Sequence, residues 1–140
     1  MTPEDAAYFD RLLERRGSAV RLDPRAVSFR DGSPPQANKC HENADRWVRE
    51  NPSCAAVRRW AIEAESGDHL LLVAHSVVQE GDGQLVDITL GQPHAFLRHE
   101  GELALFDRIR LNNAQRFWPP PPVQKCSGVI EESWEQSRQF

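Results

Sequence analysis

The sequence has no long hydrophobic run and no apolar segment near its start. A transmembrane helix needs about 20 consecutive apolar residues, and no window of this chain approaches that length. The first residues, MTPEDAAYFD, are polar and acidic, whereas a secretory signal has a basic start followed by an apolar core. The sequence therefore predicts neither a membrane partner nor a signal peptide.

Cysteine is rare, with three residues in the whole chain: Cys40, Cys54 and Cys126. An odd number of widely spaced cysteines is a poor framework for disulfide bonds. Free thiols are typical of a reducing compartment. We therefore expect a cytoplasmic protein, and a secretion route that needs no signal peptide stays open.

Basic residues are not in excess, because 17 Lys and Arg stand against 21 Asp and Glu and the formal net charge is −4. A nucleic-acid-binding domain needs a clustered basic surface, so the composition argues against nucleic acid as a partner. The short basic runs RRG (15–17) and VRRW (57–60) are interpreted as solvated faces. The overall acidity also weakly disfavours strongly acidic substrates.

The length and composition predict a single domain over 1–140 with its core at 36–110. The hydrophobic share of 39% and the charged share of 27% are ordinary for a globular protein. Nothing in the sequence indicates a cofactor or a resident metal, and the oligomeric state is left open.

Helical patterns occur in the first half of the chain. A helix is predicted over 2–16, with Thr2 as its cap, followed by irregular chain that holds at most a short edge strand. A second helix is predicted over 39–51, with Asn38 as its cap. Its inward stripe is predicted to contain four residues at helical spacing, which are Cys40, Ala44, Trp47 and Val48.

The pattern then changes to the two-residue period of strands. Strands are predicted over 55–65, 69–80 and 84–90, and a hairpin over 94–109 that turns at Glu100 and Gly101. The fold class is therefore predicted to be α+β, with N-terminal helices packed on an antiparallel sheet of four to five strands. Further predictions are an extended proline connector over 119–122 and a short helix over 128–138.

The turn GDG (81–83) determines whether His75 and Asp87 share a face of the sheet. If the loop has three residues, Glu80 lies opposite Gln84 and opposed residue numbers sum to 164. Odd numbers then face odd numbers, and His75 becomes a diagonal neighbour of Asp87. A loop that is one residue shorter or longer would place the two side chains on opposite faces.

Cys40 is predicted to lie at a helix start, where the helix dipole favours a thiolate. His75 would move the proton, and Asp87 would orient the imidazole and stabilise its charged form. A backbone N–H at the helix start, such as that of Cys40, would donate to a developing oxyanion, and Gln36 is a second candidate donor. Taken singly, the cysteine, the histidine and the aspartate each also fit a purely structural role.

Three further residues are candidate substrate contacts. His41 lies about 100° around the helix from Cys40, which disfavours it as the base and places it along the cleft or toward solvent. Asn43 lies one helical turn after Cys40, where it contacts substrate or holds a loop. Trp60 is a candidate wall of the substrate cleft.

The blocks NKCHENADRWV, AHSVV and GQLVDITL resemble the Cys…His…Asp order of the transglutaminase-like branch of the papain-like cysteine enzymes. The likeness covers roughly residues 36–90, and the blocks also resemble small bacterial proteins with a CHxN…HSV…LVDIT pattern. In the enzyme family the nucleophile begins a helix, and His and Asp lie on successive antiparallel strands. Many members have Trp after the cysteine, where this chain has His41.

The residues and the resemblance together predict thiol-dependent acyl transfer or hydrolysis on an amide or ester. Peptidase, amidase, deamidase and transglutaminase activities all stay open, with a protein or a peptide-like amide as the expected partner. Two alternatives are a zinc-dependent hydrolase with Cys40, His41, His75 and Asp87 as candidate ligands, and a catalytically inactive interaction domain. The inactive domain would expose an apolar surface near Phe117 and Trp118.

Overall fold

The computed structural model describes residues 1–120. The predicted connector beyond Pro120, the predicted helix over 128–138 and Cys126 lie outside the described residues. Within 1–120 the chain forms three α-helices and six strands. The helices are α1 (Pro3–Glu14), α2 (Cys40–Glu50) and α3 (Leu103–Asn113). The strands are β1 (Val20–Leu22), β2 (Ala55–Ser66), β3 (His69–Gln79), β4 (Leu85–Val86), β5 (His94–Arg98) and β6 (Gln115–Trp118).

The strands form one antiparallel sheet in the order β1-β5-β2-β3-β4, and β6 also pairs with β3. The fold class is therefore α+β, as predicted, with six strands instead of four or five. The helix predicted over 2–16 is confirmed, because Thr2 Oγ1 accepts a hydrogen bond from Asp5 N at the start of α1. The expected short edge strand is β1, which pairs with β5 at the end of the strand order.

The predicted hairpin over 94–109 is wrong in its second half, because α3 begins at Leu103. The buried residues of this helix are Phe106, Ile109 and Asn113, at helical spacing. Leucine and alanine also favour helix over strand intrinsically. The segment after the helix forms β6, a strand that was not predicted.

We define the helix face of the sheet as the side on which Trp60, Ile62 and Leu72 pack against the helices. The hydrophobic core on this side also contains Phe9 of α1 and Phe106 of α3. We define the histidine face as the opposite side, which carries Arg59, His75 and Phe96. Opposed residues of antiparallel strands share a face, and the pairs Arg59↔His75 and Ala61↔Phe96 establish this assignment.

Two tryptophans belong to the core, contrary to prediction. The side chain of Trp60 is fully buried, and its Nε1 donates to the Tyr8 hydroxyl at 2.6 Å. It packs against Phe9, so it forms no wall of a substrate cleft. Trp118 is 8% exposed, and its Nε1 donates to Asp10 Oδ1 at 2.9 Å. Trp118 therefore contributes no exposed apolar surface.

Candidate active site

The hairpin between β3 and β4 fixes the positions of His75 and Asp87. Glu80 N donates to Gln84 O at 2.8 Å across a three-residue loop, and Gly83 has φ +90°. Glycine adopts this left-handed conformation without steric cost. The register Val78↔Val86 has the predicted sum of 164. The predicted loop and register are therefore confirmed, and both side chains lie on the histidine face.

The His75 imidazole is bonded to a buried carboxylate. Its Nε2 lies 3.1 Å from Asp87 Oδ1, and Asp87 is 2% exposed. The carboxylate is itself held in place, because Thr89 N donates to Asp87 Oδ1 at 3.1 Å. Arg25 N donates to the main-chain oxygen of Asp87 at 2.8 Å. Asp87 is therefore a fixed acceptor that determines the orientation of the imidazole.

Cys40 reaches His75 at a break in the edge pairing of β3. On this edge β6 pairs with Leu70–Val73 and β4 pairs with Val78–Gln79, so the first turn of α2 meets the segment between them. His41 Nδ1 lies 2.6 Å from Ser76 Oγ in that segment. The half-buried Cys40 is the first residue of α2, and its thiol lies near enough to the imidazoles of His75 and His41 for both to lower its pKa. The structure thus brings Cys40, His75 and Asp87 together.

The environment of Cys40 and His75 gives the thiol a lower pKa than the imidazole, which is the reverse of the usual order. Burial raises the pKa of the Cys40 thiol, but hydrogen bonds with His41 and His75 and the charges of both imidazoles outweigh it and lower the pKa to about 6. Burial lowers the pKa of His75, but hydrogen bonds with Asp87 and Cys40 and the charges of both groups raise it to about 9. Between about pH 6 and pH 9 the pair is therefore a thiolate and an imidazolium.

The start of α2 differs from the prediction. Asn38 adopts a left-handed φ of 61° instead of capping the helix, and the N-cap is Lys39, which makes no side-chain cap hydrogen bond. Asparagine tolerates this turn conformation better than most residues. The first N–H groups of any helix have no intrahelical partner. Because no side chain caps them, those of Cys40 and its neighbours remain candidate oxyanion donors.

His41 neither faces solvent nor stands apart from the nucleophile. Its Nδ1 is bonded to Ser76 Oγ, which also accepts a hydrogen bond from Arg58 Nη1 at 2.8 Å. Arg58 in turn pairs with Asp45 of α2 at 3.1 Å. This network ties the first turn of α2 to the sheet beneath it. Ser76 and Arg58 were missed at the sequence level, where Arg58 was assigned to a solvated face.

Asn43 is a structural residue of the site. It is 4% exposed, and its Nδ2 donates to Gln36 O at 2.8 Å and to Thr89 Oγ1 at 2.9 Å. Its Oδ1 accepts from Gln36 N at 3.1 Å. These bonds hold the loop before α2 and the chain after β4 against the helix. The Gln36 residue is exposed, and its predicted role as an oxyanion donor stays a prediction.

We expect Asn43→Ala to lower the free energy of unfolding by about 2–3 kcal/mol, because three hydrogen bonds are lost and the buried Thr89 hydroxyl loses its Asn43 partner. Urea denaturation followed by circular dichroism measures this change. Asn51→Ala is the matched control, since Asn51 makes one side-chain bond to Trp47 O, and we expect a loss of about 1 kcal/mol or less. Equal losses in the two variants would contradict the assignment.

A shallow pocket of about 210 Å³ lies on another side of α2. Gln36 and Asn43 line it together with Phe29 and Arg46, whereas Cys40, His75 and Asp87 do not. The remaining histidines have separate partners. His69 Nδ1 contacts Pro119 O, His94 Nε2 contacts Glu63 Oε2, and His99 Nδ1 contacts the Tyr8 hydroxyl.

Comparison with known proteins finds no match to a protein-family model, a curated protein or a solved structure. The candidate site therefore rests on the residues and their geometry alone. Within residues 1–120, no group of three or more His, Cys, Asp or Glu side chains is arranged to hold a metal ion. None of the helices in this part of the chain has the length and apolar character that crossing a bilayer requires.

Proposed function

We propose that this chain is a cysteine-dependent enzyme that transfers or hydrolyses an acyl group of an amide or ester. The observation that carries the proposal is the Cys40–His75–Asp87 constellation, in which the thiol has a pKa of about 6 and the imidazole a pKa of about 9. A cysteine nucleophile paired with an oriented histidine is the arrangement that covalent acyl transfer needs. The resemblance of residues 36–90 to the transglutaminase-like branch of the papain-like enzymes supports the same proposal.

In the first half-reaction, the Cys40 thiolate attacks the carbonyl carbon of the substrate and forms a C–S bond. The negative charge moves to the carbonyl oxygen, next to the first-turn N–H groups of α2. The His75 imidazolium then donates its proton to the leaving nitrogen or oxygen as the bond to the acyl carbon breaks. The products are a thioester on Cys40, a free amine or alcohol, and a neutral imidazole.

In the second half-reaction, water or an amine attacks the thioester carbon. His75 accepts the proton of the attacking group, and the C–S bond breaks to regenerate the thiolate. Water gives a peptidase, an amidase or a deamidase, whereas an amine gives a transglutaminase. Asp87 keeps the imidazole oriented and stabilises its charged form in both halves.

Trapping of the acyl intermediate tests the proposal. We expect brief treatment with p-nitrophenyl acetate at pH 7 to acetylate Cys40 and not Cys54, because the Cys40 thiol is a thiolate held beside a histidine. Peptide mass spectrometry locates the acetyl group, and hydroxylamine removes a thioester. Cys40→Ala is the control and should show no thioester.

Three results would contradict the proposal. Equal acetylation of Cys40 and Cys54 would show that the constellation confers no special reactivity. Ester hydrolysis that is lost with a chelator and never acetylates Cys40 would favour the zinc-dependent alternative. Absence of both acetylation and turnover would favour the catalytically inactive interaction domain.

A further inference from the structure

A row of cationic side chains runs across the sheet to the catalytic histidine. Arg59 in β2 is directly opposite His75 in β3 on one side and directly opposite Arg98 in β5 on the other. Directly opposed residues project from the same face, and adjacent strands are about 4.8 Å apart. Arg59 therefore stands one strand spacing from His75, on the histidine face.

Among residues 1–120, no carboxylate pairs with Arg59. It is half-buried, and its Nε is buried without a hydrogen-bond partner. Burial lowers the pKa of its guanidinium, and the charges of Arg98 and Arg15 lower it further. No ion pair within the described chain involves Arg59. Its placement contradicts the assignment of VRRW (57–60) to a solvated face.

The guanidiniums next to Arg59 outnumber the carboxylates that pair with them. Glu100 Oε1 lies 3.4 Å from Arg15 Nε and 3.6 Å from Arg98 Nη2, so one carboxylate serves two guanidiniums. On the side of Arg59 that faces Cys40, the imidazolium of His75 is already paired with Asp87 and offers Arg59 no negative charge. A partly buried cation among other cations opposes folding unless an anion joins it.

We propose that Arg59, supported by Arg98 and Arg15, forms an anion subsite beside His75 that binds a carboxylate of the acyl substrate. This inference rests on the proposed function and assigns its substrate class: an amide or ester that carries an acidic group close to the reacting carbonyl. A guanidinium binds a carboxylate through two parallel hydrogen bonds. The negative charge of the whole chain had weakly disfavoured acidic substrates, but the charge next to the nucleophile has the opposite sign.

Pairs of alkylating reagents that differ only in charge test the subsite. The short pair is iodoacetate and iodoacetamide, and the longer pair is N-iodoacetyl-β-alanine and its amide. In each protein the rate for the carboxylate reagent is divided by the rate for its amide at Cys40, and Cys54 supplies the reference ratio. Because both reagents attack through the same thiolate, this ratio cancels any change in the population of the thiolate.

We expect Arg59→Gln to lower the carboxylate-to-amide ratio at Cys40 about tenfold for at least one reagent pair, because the charge-assisted contact is lost. Arg59→Lys should retain part of the preference. Arg21→Gln is the matched control, since Arg21 is exposed and lies on the opposite face of edge strand β1. In the wild-type protein, the ratio should also fall as salt is raised to about 1 M.

The midpoint of urea unfolding separates binding from a structural role. We expect the midpoint of Arg59→Gln to be unchanged or higher, because an unpaired cation is removed. A lower midpoint, a ratio unchanged from the Arg21→Gln control, or a ratio insensitive to salt would each overturn the subsite. If Cys40 still reacts rapidly with iodoacetamide near pH 6.5, the proposed function survives that result. Slow, ordinary reactivity of Cys40 with both reagents would instead remove the proposed function.

Discussion

Replacing His75 with alanine is expected to raise the midpoint of the pH dependence of Cys40 alkylation from about 6 to about 8 or higher. The reason is that the hydrogen bond and the charge of His75 both favour the thiolate, whereas the burial that opposes it remains. The His41 contact and the helix start persist in this variant, and both still favour the thiolate.

The rate itself should fall less than the thiolate population. At pH 6.5 we expect iodoacetamide to react with Cys40 about three- to fivefold more slowly in His75→Ala, because a thiolate of higher pKa is the better nucleophile and offsets most of the loss. Alkylation rates are measured by peptide mass spectrometry from pH 5 to pH 10. Cys54 is the internal reference, and His94→Ala is the matched control because His94 is bonded to Glu63 on the same face. An unshifted midpoint in His75→Ala would contradict the Cys–His pair.

Replacing Asp87 with asparagine is expected to lower kcat by about 10²–10³-fold with little change in KM, because the imidazole loses the charge that stabilises its protonated form. The pH range over which kcat stays high should become narrower at both ends. Asp87 raises the pKa of His75, so without it the upper limb moves to lower pH. The imidazolium then supports the Cys40 thiolate over a smaller range, so the lower limb moves to higher pH.

Turnover of p-nitrophenyl acetate as a function of pH measures both limbs. Asp82→Asn is the matched control, because Asp82 lies in the loop of the same hairpin and its Oδ1 accepts only a local bond from Gln84 N. A wild-type profile in Asp87→Asn would show that Asp87 serves the backbone of Thr89 alone. The variant should still fold, because the asparagine Oδ1 can accept the same hydrogen bond from Thr89 N. A change in the pH profile is therefore not explained by unfolding.

The sequence predicted the hairpin with His75 and Asp87 best, because these residues are close together in the chain. Two glycines that flank Asp82 indicate a three-residue loop, and this loop fixes the parity of every residue in the hairpin. The His75–Asp87 hydrogen bond follows from that parity. The contact between Cys40 and His75 follows from no local rule, because it depends on how α2 packs against the edge of β3.

The wrong predictions concern two kinds of segment. In one, a short hydrophobic pattern fits both a helix and a strand; in the other, both faces of a strand are covered. Leu103, Leu105 and the residues after them fit a strand as well as a helix, and the tertiary packing of Phe106 and Ile109 decided for α3. Trp60 lies on a strand whose two faces are both buried in part, so alternation alone did not distinguish core from cleft.

Arg59 was misassigned because its neighbours come from other strands. A run of basic residues predicts a solvent-exposed face when only its neighbours in sequence are considered. The register of β2 with β3 and β5 places His75 and Arg98 beside it, and neither is near it in sequence. The strand pairing alone is enough to place the charge of Arg59 beside His75 and Arg98.

The position of the nucleophile at one end of α2 also determines how the protein meets oxidants. A thiolate is far more readily oxidised to a sulfenic acid than a thiol, so Cys40 is the most vulnerable described cysteine. Cys40 begins an 11-residue helix and Cys54 lies beyond its other end, about 16 Å along the axis. That separation is too large for a disulfide bond. Within residues 1–120, an oxidised Cys40 therefore has no resolving thiol within reach.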